Sequence, residues 1–472
     1  MSDLKRTLGL STALSVVIGG VIGSGIFMKP ALMAAQLGSP VLLLSVWVVA
    51  GIITLFGALS NAEVAAMFPE TGGQYVFFEK MYGSGFAFLY GWAAFAVFNT
   101  AGNASIAYIC AQYTDYFVTL PRFSGAVEHA VHLHIPCIGN IFPLENFGVK
   151  MLTALIIVLL SFINHYSVQY GAALQRFLSS LKIVAIALLI GGILFSGHGS
   201  LHNITAPSPG MPHGFALVGA YMAAIAGAFW AYDGWNNITF VAGEIKDPQK
   251  NIPTSLFAGL MFCMIIYLLV NIAFVYVLPL HQMATSSFVA SDAASAVWGV
   301  MGGGIIALMV ILSTFGTANA NIMATARVTY AMGQTSNLFS WAGRQQPKYH
   351  TPGNALWLNA AWSVILIISG SFDTLTDMLI FVSWFFYGMS ALGVIILRYK
   401  MKDTSRPYKV PGYPLVTLFF VLFTVFFLSV TVYTDVTNYH NGKANTINSL
   451  LGIAITCAGI PLYLWRKKKR FS

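Results

Sequence analysis

The sequence predicts an all-α integral membrane protein with twelve transmembrane helices, arranged as a five-plus-five inverted repeat whose first and sixth helices are broken. Three observations point that way. Charged residues occupy 8% of the 472 positions while A, V, I, L, M, F, W, Y and C supply 57%, against roughly 25% charged residues in an average soluble chain. The apolar residues fall into blocks of about 20 separated by Gly, Pro and charge clusters, the length that crosses a hydrocarbon core as a helix. Two of these blocks, each opening one half of the chain, are interrupted midway by glycine, the signature of a site built from inverted repeats.

In chain order the blocks place spans near 10–34, 40–66, 84–117, 149–164, 173–195, 214–241, 254–279, 302–330, 354–371, 374–397, 414–434 and 447–465. The chain is thus expected to form one transmembrane transporter domain over 1–472. Its first repeat spans about 10–195, its second about 214–397, and helices 11 and 12 are appended at about 414–465. An even count puts both termini on one side, and basic residues choose the side. With the N-terminus inside, inner segments hold nineteen of the 24 Lys and Arg residues, and outer segments keep Lys29, Arg122, Lys150 and Lys443. Both termini are therefore expected to be cytoplasmic. Compact loops suit a bacterial cell membrane. The first block is too long for a cleavable signal, and no small-residue cleavage site with a soluble domain follows it.

The formal charge of +9 follows this topology and contact with anionic inner-leaflet lipid, so nucleic-acid binding is not inferred. Cys110, Cys137, Cys263 and Cys457 form no CxxC or metal spacing. Cys137, in the outer 118–148 loop, is the single candidate for a disulfide to a partner subunit. His129, His132 and His134 lack a carboxylate or Cys companion, so no metal site is expected. Gly20, Gly23 and Gly25 mimic a phosphate-binding loop, but no strand precedes them. No catalytic constellation appears, which argues against an enzyme, and neither a cofactor nor the pore-lining charge ring of a channel is read.

A helix interrupted at mid-membrane depth must line a protein-walled cavity, because unsatisfied backbone groups in lipid cost several kcal/mol each. The first span carries Val21, Gly23, Ser24 and Gly25 within GGVIGSGIF. The competing explanation is tight helix packing through small residues. The sixth span weakens at Gly227 to Gly234, which includes Phe229, Trp230, Ala231 and the intramembrane acid Asp233. Unwinding frees N–H groups on one stub and carbonyls on the other, with dipoles that favour an anion and a cation respectively. An amino acid zwitterion carries one of each. Charge-assisted hydrogen bonds of roughly 1.5–3 kcal/mol apiece would hold the backbone shared by all amino acids, leaving selection to neighbours such as Trp230.

Several ionisable and polar residues inside the spans keep alternative roles open. Lys182, in the fifth span, fits snorkelling to the inner interface, a fixed cation, or a proton carrier. Asp233 fits contact with the substrate amine or a cationic side chain, a pair with another protein group, or a protonated hydrogen-bonding role. Glu63 and Glu244 read as gate or packing groups at the inner ends of spans 2 and 6. Ser313, Thr314, Thr317, Asn319 and Asn321 in span 8, Asn99 and Asn103 in span 3, and Ser383 with Tyr387 in span 10 fit either interhelical hydrogen bonds or the substrate path.

These motifs resemble the amino acid–polyamine–organocation superfamily and, within it, the L-amino-acid transporter family. VIGSGIF at 21–27 is similar to the family's first-helix motif and AEVAAMFPETGGQY at 62–75 to its second-helix exit. FWAYDGWNNITFVAGEIKDPQKNIP at 229–253 resembles its sixth helix and following loop, and RPYKVPGYP at 406–414 the segment before helix 11. The resemblance implies alternating access and sodium-independent exchange or facilitated uptake of amino acids, with proton-coupled symport as the alternative. It further implies a substrate carboxylate at the Ser24 and Gly25 backbone, an amine facing carbonyls near Val21 and Phe229, and Trp230 as an aromatic gate. Lys182 matches the family's fifth-helix lysine, at a place where related transporters bind sodium. Relatives use a heavy chain through an outer-loop cysteine, but the surroundings of Cys137 do not match, so no heavy-chain partner is expected.

Overall fold

The computed structural model describes residues 6, 8–70, 72–166, 182–206, 211–335, 340–349 and 351–471. The first predicted span is two helices, α1 (Leu10–Val21) and α2 (Gly25–Leu37), meeting at 41°. α3 (Pro40–Met67) follows, with Ser39 accepting from Leu42 N at 3.4 Å and Pro40 in the first turn, where a missing N–H costs nothing. α4 (Gln74–Tyr82) leads to a third span made of α5 (Ser84–Ala93), a π-helical turn at Ala94–Asn99, and α6 (Thr100–Thr114). The loop beyond carries α7 (Gly125–Ala130) and a small antiparallel hairpin, β1 (Leu133–Ile135) and β2 (Gly139–Ile141), with His134 opposite Asn140.

α8 (Phe147–Tyr166) is the fourth span, and α9 (Lys182–Leu194) is the fifth as far as it is described. The predicted start of that span at 173–181, with Arg176, lies outside the described residues. After α10 (His202–Thr205), the sixth span is α11 (Phe215–Tyr232) and, beyond a break, α12 (Asn237–Phe240). Then come α13 (Pro248–Val277), α14 (Leu280–Thr285) and α15 (Val289–Thr335), the last kinked at Gly299, where φ is 67°. α16 (Gly353–Ser369), α17 (Phe372–Lys400), α18 (Leu415–His440), α19 (Asn448–Cys457) and α20 (Gly459–Phe471) complete the chain.

Among the described residues, nine helices are long and apolar enough to cross a membrane, ten when α1 and α2 count as one span. The shorter apolar helices α9 and α16 stand at the predicted fifth and ninth spans.

Two packed groups surround the helix breaks. α1 and α3 pack on α13, and α2 and α3 on α11. α6 packs on α15 and α8, and α16 on α8 and α6. Polar residues of the second group pair with one another: Asn164 with Asn319 at 2.7 Å, Asn321 with Asn103 at 2.9 Å, and Thr329 with Asn359 at 2.8 Å. In lipid such bonds hold helices together without any hydrophobic drive between them. They tie helices together through Asn103, Asn319 and Asn321, and Asn321 also lines the central cavity.

Glu63, fully buried on α3, receives both arms of Arg398 at 2.9 and 2.6 Å and the Val410 N–H at 2.9 Å, with Arg406 Nε 3.6 Å away. A bidentate guanidinium pair of this kind is geometrically demanding. It pins the loop between α17 and α18 onto the end of α3, so Glu63 is a packing group.

Candidate functional site

The two breaks touch. A Cβ on Gly25 would lie 2.6 Å from Ala231 Cα and 3.1 Å from the Trp230 ring, so only glycine permits this approach. Gly234 has φ of 97°, and a Cβ there would meet the Gly20 carbonyl oxygen at 2.5 Å. Sequence reasoning missed Tyr267, which binds the breaks together. Its hydroxyl is 2.7 Å from Val21 O and 2.9 Å from Ala231 O. No local pattern on α13 marks that tyrosine.

The freed backbone groups divide by charge. At the C-terminal end of α1, Lys182 Nζ donates to Gly19 O at 3.0 Å and to Ile22 O at 2.5 Å. A cation there complements the negative end of the helix dipole. Lys182 is buried at 3% exposure, so it does not snorkel. At the N-terminal end of α2, Ser24 makes no side-chain cap, and the first turn keeps N–H groups without intrahelical partners. In α11, the Asp233 N–H turns back to Trp230 O at 3.3 Å, which leaves the Phe229 carbonyl without its usual i+4 donor.

A cavity of about 2120 Å³ opens at this junction, lined by Val21, Gly23, Ser24, Gly25, Trp230, Ala231, Asp233, Lys182 and Ser383 among others. It exceeds the roughly 300–1,000 Å³ of a small-ligand pocket. The extra volume is a vestibule whose far walls carry Arg6, Glu70, Lys80, Glu244 and Arg327, residues that the charge distribution assigns to the basic face. Phe229 stands away from the cavity, its ring stacked on Trp384 at 3.5 Å. Ser313 and Thr314 do not line it either; Thr314 donates to Val310 O at 2.8 Å, while Thr317, one turn on, reaches the cavity wall.

Asp233 sits at the break, and Tyr387 donates to its Oδ1 at 2.7 Å. Asn236, also on the break, is held by Asn61 at 2.6 Å, and Asn61 accepts from Ser390 at 2.9 Å. The unwound segment is thereby tied to both α3 and α17. On the opposite side from the vestibule the cavity is shut. Trp230 meets Phe372 edge-on at 5.2 Å, and Tyr108 stacks on Phe372 at 6.2 Å.

Lys29, expected in an outer segment, is instead buried on α2 at 1% exposure and pairs with Asp373 at 3.0 Å. A lone cation one turn after the break was the available signal. Among the described residues no group of three His, Cys, Asp or Glu side chains is poised to hold a metal ion.

A bundle of apolar helices with two contacting helix breaks beside a large cavity is the architecture of a multi-pass membrane transporter. The chain belongs to the amino acid permease family, whose model matches residues 8–456. It is 30% identical over 474 residues to the serine/threonine exchanger SteT of Bacillus subtilis (strain 168), covering 100% of this chain and 99% of the relative. It is 30% identical to the large neutral amino acids transporter small subunit 2 of Mus musculus, with 99% and 83% covered, and 29% identical to the b(0,+)-type amino acid transporter 1 of the same organism, with 90% and 82% covered. The family resemblance read from the motifs, and the amino acid transporter class it implied, thus stand.

Proposed function

We propose that the chain exchanges amino acids across a cell membrane by alternating access, without a sodium ion, and that the present structure is its inward-open form. The carrying observation is the Lys182 ammonium, bound to the Gly19 and Ile22 carbonyls. A resident positive charge fills the carbonyl end of α1 that would otherwise attract a free cation. The substrate carboxylate then goes to the N–H groups at Ser24 and Gly25, where the dipole of α2 favours an anion. Its amine faces the carbonyl end of α11 near Phe229. Trp230 closes over the bound molecule, and Asp233 with Ser383 faces its side chain. The vestibule opens to the basic face, which makes that face and both termini cytoplasmic.

The repeats run over about 10–195 and 214–397 and rock as units around the paired breaks. The relative named serine/threonine exchanger supports exchange as the mode. We propose function without a heavy chain.

Uptake of a radiolabelled amino acid panel into proteoliposomes, at fixed pH and without sodium, tests this reading. Uptake that requires internal amino acid is expected. Uptake into empty vesicles driven by an imposed proton gradient would replace exchange by symport, with Lys182 as the carrier.

A further inference from the structure

We propose that Lys29 is the bolt of the closed face, a positioning residue that holds the lid over the substrate site by pairing with Asp373. The inference rests on the alternating-access reading above. Lys29 is on α2 and Asp373 opens α17, so their 3.0 Å contact joins two helices that lie 344 residues apart. Thr376 adds a second acceptor at 2.9 Å. The same ammonium lies 4.7 Å from the Phe372 ring centre and 5.8 Å from that of Trp230, the two rings that shut the cavity. One cation therefore engages α2, α11 and α17 together, through an ion pair and two aromatic faces.

The stem has room to do so because α11 carries Gly227 alongside, where an added Cβ would already touch Lys29 Cδ at 3.4 Å. Two further carboxylates, Asp377 and Asp435, line the small cavity beside Lys29, and each also accepts a hydrogen bond of its own. Asp377, one turn along α17, accepts from Asn448 at 3.2 Å, and Asp435 accepts from Ser449 N at 2.9 Å. Asp373 is 53% exposed while Lys29 is 1% exposed, so the pair sits at the rim of the closed face, with the cation inside and the carboxylate at the edge. Opening that face separates α2 from α17 and must break this contact. A variant without it spends more time open on that side.

The test is thiol accessibility in intact cells, using Ser24→Cys in a chain that also carries Cys457→Ser and a membrane-impermeant maleimide added outside. Native Cys137 is the control. It is exposed, and its loop joins the Asp373 face through the Gly139–Thr446 bridge next to Asn448. Labelling of position 24 should be slow in the parent, rise about fivefold or more in Lys29→Met and in Asp373→Asn, stay low in Lys29→Arg, and return toward the parent in the swapped pair Lys29→Asp with Asp373→Lys. Unchanged labelling in both single variants overturns the proposal, as does a swapped pair that labels as fast as either single variant. Labelling of Cys137 in each variant certifies that the chain is in the membrane and oriented as assumed. If Cys137 is not labelled in the parent, the topology reading fails instead. If the unsubstituted chain shows no exchange in proteoliposomes, the transport reading fails while the labelling comparison still judges the bolt.

Discussion

The Tyr267 hydroxyl lies 2.7 Å from the Val21 carbonyl oxygen and 2.9 Å from that of Ala231, so one side chain of α13 fastens the two helix breaks to each other. The hydroxyl's one hydrogen is shared between two buried acceptors, and removing it costs roughly 1–3 kcal/mol in all. Tyr267→Phe should lower the unfolding temperature in detergent by several degrees and slow exchange. A variant as stable and as active as the parent would show that the breaks hold without this tie.

Trp230→Ala should abolish most transport while the chain still inserts, because the ring lines the cavity and meets Phe372 on its shut side. The expected loss is about tenfold or more in exchange rate, equivalent to about 1.4 kcal/mol. Membrane abundance by immunoblot, measured beside counterflow, separates the two effects. Normal counterflow would remove Trp230 from the site.

Asp233 and Tyr387 make a coupled prediction. Asp233→Ala should lose arginine and lysine exchange while sparing alanine and serine. Tyr387→Phe should strengthen competition by cationic amino acids severalfold, because the carboxylate no longer receives the hydroxyl at 2.7 Å. Competition against one labelled neutral substrate measures both. Equal loss of every substrate in Asp233→Ala would assign the acid to the amine or to the fold.

Gly25→Ala places a methyl group 2.6 Å from Ala231 Cα, in backbone that cannot yield without parting α2 from α11. Overpacking of this kind costs typically about 1–3 kcal/mol. Exchange should fall below about a tenth of the parent's while the protein remains extractable and monodisperse by gel filtration. Gly19→Ala, where no atom lies within 4 Å of the added methyl, is the matched control and should be nearly silent.

Lys182→Met leaves the Gly19 and Ile22 carbonyls without their donor and removes the charge from the C-terminal end of α1. Exchange should collapse, and substrate-induced thermal stabilisation should shrink with it. Retained exchange that becomes dependent on added sodium would be the most informative departure, because it would mean that an ion had taken the place of the ammonium.

The apolar blocks, the positions of both breaks and the cationic and acidic residues inside them were legible in the sequence, and every predicted span has a helix at or near it. Lipid imposes this legibility. A spanning segment must satisfy its own backbone over about 20 residues, so span length and every departure from it show locally. Lys182 and Asp233 stood out for the same reason, as charges in apolar surroundings.

Partnership was not local and could not be read. Asp233 answers to Tyr387 from 154 positions away and Lys29 to Asp373 from 344, and the spacing of either pair in the chain carries no trace of the contact. Phe229, singled out by the motif, turned its ring to Trp384, while Tyr267, which no pattern marked, joined the breaks. The sequence by itself determined that this chain lives in a bilayer and where its helices must fail. The tertiary structure alone decided which freed backbone groups are already occupied, which remain for a ligand, and which face is shut. Those outcomes depend on how separate helices approach one another, and each approach is set by packing across the bundle, beyond the reach of any single segment.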